Sequence, residues 1–330
     1  MDVSPLKMRA YVLPISGGYF PYQVGLLEQL IQHDERPDVM LSTSGGNLAA
    51  YMAMASGWNH HEIKRIASTV SSSNIVETWS LGSVSALLNG SMYGTKNCYG
   101  FFDGMVGNRI TDMELWTGTY NKKRSLTCLY CNQRNSRWFS NTKRLERLGC
   151  MPLRYCHGNT DLITDVCMAS AAVPAVYPER LVASEPHIDG GVSFSSPLSL
   201  LHDQLPKDAQ IVYIHSQKFE LTSCPTGNTG IMENTKYAMS QMVNSMLYQE
   251  RMLAHDFVSK GGYKVKTESI PGNPANLSTV LNRSRRIGRC LVELYPHTNE
   301  YLDFGNFNGD DVVRLTNLRG YDIEFTYGLT

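Results

Sequence analysis

The apolar residues at the amino end of the chain alternate between strand-like runs and helix-like spacing. Residues 9–15 form an apolar run typical of a buried strand, and residues 38–41 form a second one. Between them, residues 23–32 place apolar side chains at helical spacing, and a second helix is expected to begin near Gly46 and to end around 56–57. This order of strand, helix, strand and helix predicts an α/β fold, in which helices cover a parallel sheet.

The pattern weakens between residues 70 and 125, where serine and glycine clusters interrupt shorter apolar stretches, so we expect an insertion or lid there. Strand patterns return at residues 126–131 and 211–215, the latter a continuous apolar run of the buried parallel type. Near the carboxyl end, residues 308–311 followed by an apolar run and a stop at Gly320 predict a capped terminal helix. Residues 1–330 are expected to form a single domain.

Composition and charge narrow the classes of function. The chain has 30 basic and 30 acidic side chains, so its formal net charge of zero gives no reason to expect a nucleic-acid partner. No segment approaches the roughly 20 apolar residues that a transmembrane helix requires. Eight cysteines are too few for a disulfide scaffold, and the first residues lack the pattern of a secretory signal. We therefore expect a cytoplasmic protein with reduced thiols.

Two groups of residues have the composition of a metal site. Cys128 and Cys131 form a CxxC pair, but they lie in a strand-like run, where residues three apart point to opposite faces. Residues 60–62, His-His-Glu, lie on a predicted helix, where neighbouring positions point in different directions. We therefore expect free thiols and a solvated helix face, with no metal and no cofactor.

The sharpest chemical pattern is Leu-Ser-Thr-Ser-Gly-Gly at residues 41–46, because it lies where a buried strand turns into a helix. A serine at such a turn is held at the amino end of the helix, where unpaired N–H groups and the helix dipole favour an anion. The small residues Ser42 and Gly46 allow the tight turn. Ser44 is therefore a candidate nucleophile, although a Ser-Gly-Gly sequence is also an ordinary tight connection.

A second glycine-rich segment is Ser-Gly-Gly at residues 16–18, which directly follows the first strand and precedes the first helix. The backbone N–H groups of Gly17 and Gly18 are placed to point at a substrate oxygen, as in an oxyanion hole. Two glycines alone are weak evidence for this role, so the segment gains meaning only together with the others.

The third segment is Asp189 followed by Gly190 and Gly191. The glycines leave room for another backbone or for an acyl chain, and a carboxylate that is partly desolvated there has a raised pKa and becomes a better base. In isolation, the same residues would also suit an Asp-Gly-Gly hairpin turn.

Together with Ala-Ser-Ala-Ala-Val-Pro at residues 169–174, these segments resemble the patatin-like phospholipase family. Members share a glycine-rich oxyanion loop, a G-x-S-x-G elbow, an Ala-Ser-x-Ala-x-Pro stretch and an Asp-Gly-Gly or Asp-Gly-Ala motif, and the chain has all four in that order. The resemblance implies that Ser44 is the nucleophile and Asp189 the base of a dyad without histidine. It places the oxyanion donors at Gly17 and Gly18.

The resemblance also implies an activity, a partner and an architecture. The activity is hydrolysis of fatty-acyl esters in phospholipids, lysophospholipids or neutral glycerolipids through an acyl-enzyme. The partner is a lipid substrate met by peripheral contact at a membrane surface. The architecture is a three-layer α/β/α sandwich with a mainly parallel sheet and the active site at the carboxyl ends of its strands. The loop at residues 16–21 lacks the family's arginine and last glycine, and Ser42 replaces the first glycine of the elbow.

Two alternatives to the dyad enzyme stay open. One is a Ser-Asp-His triad, for which His215 is the best-placed histidine. The other is a binding or scaffold protein that has kept the fold and lost the chemistry, an idea that the altered glycine loop favours. The methionine-rich helical face within residues 239–247 suits either an acyl groove or ordinary core packing. The arginine cluster at 283–289 suits either phosphate head groups or a solvated loop.

Overall fold

A computed structural model describes the fold over a defined set of residues. These are residues 8–17, 20–32, 34, 36–69, 77–78, 90–91, 93–106, 113–133, 136, 138–139, 150–155, 160–201, 204–206, 209–214, 245–246, 250, 264–267 and 312–316. Gly18, His215, the arginine cluster and all but two residues of the methionine-rich segment 239–247 lie outside them. The predictions made for those residues stay predictions.

The described part of the chain contains strands and helices in the expected alternation. The strands are β1 Arg9–Leu13, β2 Val39–Thr43, β3 Glu77–Thr78, β4 Tyr93–Gly94, β5 Glu114–Asn121, β6 Leu126–Cys131, β7 Cys150–Tyr155, β8 Arg180–Val182, β9 Glu185–Asp189, β10 Gln210–Ile214, β11 Lys264–Thr267 and β12 Val312–Thr316. The helices are α1 Phe20–Gln32, α2 Gly45–Ala55, α3 His60–Thr69, α4 Lys96–Val106, α5 Thr160–Ser170 and α6 Leu198–Leu201.

Most of these strands belong to one mixed sheet with the order β11-β12-β10-β1-β2-β5-β6-β7, in which β9 also pairs with β5 and β8 pairs with β9. The central strands β10, β1, β2 and β5 run parallel, and antiparallel pairs join them to the outer strands. The carboxyl ends of β1, β2 and β5 therefore meet at one edge of the sheet. The expected α/β fold with a mainly parallel sheet is confirmed.

Both faces of the sheet are covered, which explains why its central strands are continuous apolar runs. In β1, Tyr11 and Leu13 belong to a buried cluster with side chains of α1, α2 and α5. Ala10 and Val12 point to the other face, where they share a second cluster with Phe194 and residues of α6. The helices on the two faces and the sheet between them make the three layers.

The expected terminal helix is wrong. Residues Val312–Thr316 form strand β12, which pairs antiparallel with both β10 and β11. The β-branched residues Val312 and Val313 favour the extended backbone, and the two neighbouring strands satisfy its N–H and C=O groups. An interaction with strands far away in sequence thus outweighs the local helical pattern. The capping residues expected at 308–311 lie outside the described residues.

The segment expected as an insertion or lid, residues 70–125, extends too far towards the carboxyl end. Its residues Glu114–Asn121 are strand β5, which lies in the middle of the sheet between β2 and β6. The strand was hidden because polar residues such as Thr117 and Asn121 interrupt its apolar pattern, and both are buried with hydrogen-bond partners. The lid within residues 70–113 and the single domain stay predictions.

The length and polarity of the helices bear on whether the chain crosses a membrane. None of the helices that the structure describes is long and apolar enough to span one.

Candidate active site

The turn between β2 and α2 holds Ser44 in an unusual backbone conformation. Its φ is 57° and its ψ is −133°, a region that residues with a side chain rarely adopt. Its N–H donates to Ser170 Oγ at 3.0 Å, and the Ser170 hydroxyl donates to the carbonyl oxygen of Gly118 at 2.7 Å. Helix α5 and strand β5 thus hold the strained turn at the carboxyl end of β2.

The residues on either side of Ser44 fit the expected elbow. A Cβ on Gly46 would lie less than 3.0 Å from the carbonyl oxygens of Leu13 and Pro14, so only glycine lets α2 pack against the end of β1. Ser42 is small, as expected, but its side chain is also a donor, because Ser42 Oγ lies 2.9 Å from Asn47 Oδ1.

Asp189 lies at the end of β9, 145 residues away from Ser44 in sequence. Ser44 Oγ donates to Asp189 Oδ2 at 2.7 Å. The other carboxylate oxygen, Oδ1, accepts from the N–H of Gly191 at 2.7 Å, and the N–H of Asp189 donates to the carbonyl oxygen of Ala172 at 3.0 Å. The carboxylate is thus fixed on both sides, with one oxygen aimed at the serine hydroxyl.

The two glycines after Asp189 allow neighbouring segments to pack closely against the turn that follows it. They belong to a 3-10 turn, Gly190–Val192, that Asp189 caps, so the hairpin-turn alternative is not what forms. A Cβ on Gly190 would lie 2.5 Å from the carbonyl oxygen of Gly118, and one on Gly191 would lie 2.8 Å from Ile15 Cγ2. Glycine at both positions lets the turn pack directly against β5 and the end of β1.

Burial dominates the electrostatics of this pair. Ser44 is 4% exposed and Asp189 is 3% exposed. Desolvation raises the pKa of Asp189 to about 7, although the hydrogen bonds from Ser44 and Gly191 act in the opposite direction. A carboxyl group with a pKa near neutrality is suited to taking and returning a proton.

The Ser-Gly-Gly loop lies against the start of α2. A Cβ on Gly45 would lie 2.5 Å from the Gly17 carbonyl oxygen, 3.0 Å from Gly17 N and less than 3.0 Å from Ser16 Oγ. Gly17 has a φ of 51°, which favours glycine. The structure thus brings Gly17 beside the residue that follows Ser44, whereas Gly18 lies outside the described residues.

Comparison with protein-family models matches residues 15–202 to the family described as patatin-like phospholipase. The matched segment is more than half of the chain and contains both Ser44 and Asp189. The chain belongs to the patatin-like phospholipase family. A search of curated proteins found no match. The family expected from the four motifs is confirmed, and it assigns the chain a lipid acyl hydrolase activity.

This patatin-like chain supports its elbow with a buried polar network that the sequence patterns did not reveal. Asn47 Oδ1 accepts from Ser42 Oγ at 2.9 Å and from Thr117 Oγ1 at 2.8 Å, and Asn47 Nδ2 donates to the carbonyl oxygen of Cys167 at 3.4 Å. The network ties β2, β5 and α5 to the first turn of α2. The available signal was an asparagine within a helix otherwise rich in alanine and methionine.

Ser170 is the second residue whose role was missed. The sequence placed it in the Ala-Ser-x-Ala-x-Pro stretch only through the family resemblance. In the structure its hydroxyl lies between the Ser44 N–H and the carbonyl oxygen of Gly118. Its partners lie 126 and 52 positions away in sequence, so no local pattern could identify them.

Within the part of the chain that the structure describes, neither Ser44 nor Asp189 has a histidine as a hydrogen-bond partner. His187 is buried two residues before Asp189, but its Nε2 lies 3.0 Å from Tyr130 Oη and its Nδ1 lies 2.9 Å from the carbonyl oxygen of Glu185. Both ring nitrogens are therefore occupied away from the dyad.

The two metal-like groups have other partners. Cys128 and Cys131 form no disulfide, and they lie in buried clusters on opposite faces of the sheet, as the strand pattern predicted. His60 Nε2 lies 3.1 Å from Glu28 Oε1, and Glu62 pairs with Arg65 at 2.7 Å. No group of three or more potential metal ligands occurs among the residues that the structure describes.

Proposed function

We propose that this protein is a serine lipid acyl hydrolase of the phospholipase A or lysophospholipase type, with Ser44 as nucleophile and Asp189 as general base. The observation that carries the proposal is the 2.7 Å hydrogen bond from Ser44 Oγ to Asp189 Oδ2 at the carboxyl ends of the central strands. Its support is twofold, since the pair is buried and the base has a pKa of about 7.

The first half of the reaction forms an acyl-enzyme. Asp189 accepts the proton of Ser44 as its Oγ bonds to the acyl carbonyl carbon, which gives a tetrahedral intermediate with a negative oxygen. The intermediate collapses, the bond to the leaving alcohol breaks, and Asp189 returns the proton to the alcohol oxygen. The deacylated lipid leaves, and the fatty acyl group stays on Ser44.

The second half of the reaction uses water. Asp189 takes a proton from a water molecule, whose oxygen bonds to the carbonyl carbon of the acyl-enzyme. A second tetrahedral intermediate forms and collapses, the bond to Ser44 Oγ breaks, and the serine regains its proton. The free fatty acid leaves, so one ester and one water give one alcohol and one acid.

The negative oxygen of both intermediates requires hydrogen-bond donors. We assign this role to the backbone N–H groups of Gly17 and Gly18, and the contact of Gly17 with Gly45 supports the placement of the first. The amino end of α2 adds the favourable end of its dipole.

The substrate belongs to a membrane. We propose that the protein meets phospholipids or other glycerolipids by peripheral contact at a membrane surface, because the family is one of phospholipases. Which head group and acyl position are cleaved is decided by measuring the products released from vesicles of phosphatidylcholine, lysophosphatidylcholine and diacylglycerol.

A fluorophosphonate probe tests the nucleophile, because it reacts with activated serines. We expect the purified protein to be labelled at Ser44, and Ser44→Ala to lose the label and the release of fatty acid. Ser56→Ala is the matched control, since Ser56 is also buried but lies at the other end of α2. Labelling of a folded Ser44→Ala protein would overturn the assignment, and a wild-type protein that hydrolyses no lipid ester would favour a scaffold.

A further inference from the structure

Ser16 places a buried hydroxyl without a hydrogen-bond partner beside the candidate nucleophile. The residue is 4% exposed, and its Oγ bonds to no atom in the described part of the chain. A buried hydroxyl that is left unpaired lowers the stability of the fold. The position therefore calls for a group that this hydroxyl can bond when the site is occupied.

The hydroxyl faces the residue that follows Ser44. A Cβ on Gly45 would lie less than 3.0 Å from Ser16 Oγ, so the oxygen packs against the first residue of α2. The first N–H groups of a helix have no acceptor within the helix and carry the positive end of its dipole. Ser16 Oγ therefore lies next to the helix end that follows Ser44, where a negative charge is favoured.

The backbone at this place presents an acceptor as well as a donor. The same point, the Cβ position of Gly45, lies 3.0 Å from Gly17 N but 2.5 Å from the Gly17 carbonyl oxygen. A carbonyl oxygen repels an oxyanion, whereas a hydroxyl can rotate to donate to it. Ser16 thus offers a donor on a flank of the elbow where part of the backbone presents an acceptor.

We propose that Ser16 Oγ donates a hydrogen bond to the oxyanion of the tetrahedral intermediates on Ser44, so that the oxyanion hole contains a side-chain donor. This inference rests on the proposed function. No proton is transferred, because the hydroxyl only donates to the oxygen while the carbonyl carbon is tetrahedral. The bond is stronger to a charged oxygen than to the ester carbonyl, so it lowers the barrier more than it strengthens substrate binding.

The test compares variants at Ser16 by single-turnover acylation of Ser44 with a short-chain ester. Ser16→Ala and Ser16→Gly both remove the hydroxyl. Ser16→Gly also removes the Cβ, so it tests whether packing of the side chain matters. We expect the acylation rate of each to fall by on the order of a hundredfold, as for the loss of one oxyanion donor, with little change in KM. The matched control is Ser56→Ala, which removes another buried hydroxyl at the far end of α2, away from the dyad.

A second measurement separates an oxyanion role from a structural one. A trifluoromethyl ketone adds to the serine and forms an oxyanion that resembles the intermediate. Its inhibition constant should rise in Ser16→Ala by the same factor as the acylation rate falls, and Ser56→Ala should change neither.

The outcomes distinguish the two proposals. A folded Ser16→Ala protein that acylates at the wild-type rate overturns the role of Ser16 and leaves Ser44 as the nucleophile. A change in KM alone, or an equal loss in Ser56→Ala, also overturns it. A wild-type protein that neither acylates nor reacts with the fluorophosphonate overturns the proposed function, and the role of Ser16 with it.

Discussion

Asp189 is an ionisable group in a buried position, and burial disfavours its charged form. Its burial removes water from the carboxylate and raises the pKa from 3.8 to about 7, and only two hydrogen bonds, from Ser44 and Gly191, partly offset that loss. The charged form is therefore costly to the fold but reactive as a base. Its reactivity as a base can be measured in the pH dependence of kcat/KM, and its cost to the fold in the pH dependence of the free energy of unfolding.

The rate should depend on pH through Asp189. Only its deprotonated form can accept the proton of Ser44, so kcat/KM should rise with pH, follow a single ionisation near pH 7 and reach a plateau above it. At pH 5 it should be about a hundredfold below the plateau. The measurement uses an uncharged short-chain ester, whose own ionisation cannot contribute. A profile that stays flat down to pH 5 would show that burial does not raise this pKa.

The contribution of Asp189 to the free energy of unfolding should fall as pH rises, whereas the rate should increase. Because the pKa in the folded protein is above the unfolded value, the contribution of Asp189 is full below about pH 4 and is lost as pH rises through about 7. Asp189→Asn carries no charge, so we expect it to raise the free energy of unfolding at pH 8 by on the order of 1–3 kcal/mol. It should abolish nearly all hydrolysis.

Urea unfolding of both proteins at pH 8 and at pH 5 gives the difference that belongs to this residue. The advantage of the Asp189→Asn variant should shrink at pH 5, where the wild-type carboxyl group is protonated. An advantage of equal size at both pH values would assign the effect to packing instead of charge.

At the scale of elements, the elbow is shaped by its neighbours as much as by its own sequence. The backbone conformation of Ser44, with a φ of 57°, is locally unfavourable. The hydrogen bond from its N–H to Ser170 Oγ on α5 is one of the contacts that hold it. The glycine at 46 permits the close packing of α2 on β1 but does not impose it. The position of α5 is therefore part of the catalytic geometry.

Ser170→Ala tests this coupling. It removes the acceptor of the Ser44 N–H and the donor to the Gly118 carbonyl, both buried, so we expect a loss of about 1–3 kcal/mol in the free energy of unfolding. The acylation rate of Ser44 should fall by about tenfold or more, because the elbow can relax towards an ordinary backbone conformation. Ser56→Ala, which removes a buried hydroxyl at the far end of α2, should lose stability but keep its acylation rate. Equal rates in the two variants would contradict the coupling.

At the scale of the whole molecule, the sequence predicted the strands that are continuous apolar runs. The apolar runs at 9–15, 38–41 and 211–215 became adjacent parallel strands because each is buried on both faces. The residues that the family resemblance placed in the site, Ser44 and Asp189, lie within hydrogen-bond distance. Their catalytic roles stay predictions until the labelling and rate measurements are made.

What the sequence could not predict depends on partners that are distant along the chain. Strand β12 has a helix-like local pattern and becomes a strand only because β10 and β11 lie on either side of it. Asn47 and Ser170 look ordinary until the sheet brings their partners to them. Ser16 likewise became a candidate donor only when its burial against Gly45 was known.

The strand that joins the two halves of the site is β5. Its residue Gly118 pairs with Thr43, which precedes Ser44, and its next residue, Thr119, pairs with Asp189. Ser44 and Asp189 are thus 145 positions apart in sequence, but the segments that hold them pair with two neighbouring residues of β5. Any change that displaces the two partners of β5 relative to each other should reach both catalytic groups.

Gly118→Ala makes that change. The new Cβ would lie less than 3.0 Å from the ring of Phe194, which follows the Asp-Gly-Gly turn, and 3.0 Å from Thr43 Oγ1, which precedes the elbow. We expect the acylation rate of Ser44 to fall by about tenfold or more, since small shifts of reacting groups are costly. Gly100→Ala is the matched control, because nothing lies within 4 Å of a Cβ there and alanine favours the helix.

A second substitution decides whether the ring transmits the effect. Phe194→Leu shortens the side chain that the new Cβ meets, so Gly118→Ala with Phe194→Leu should recover much of the rate that Gly118→Ala loses, although Phe194→Leu alone gains nothing. This non-additivity is expected only of residues in direct contact. Melting curves of all four variants separate misfolding from misalignment. Strictly additive rate losses would show that β5 does not couple the elbow to Asp189 through Phe194, and would leave the Thr43 contact as the route by which Gly118→Ala acts.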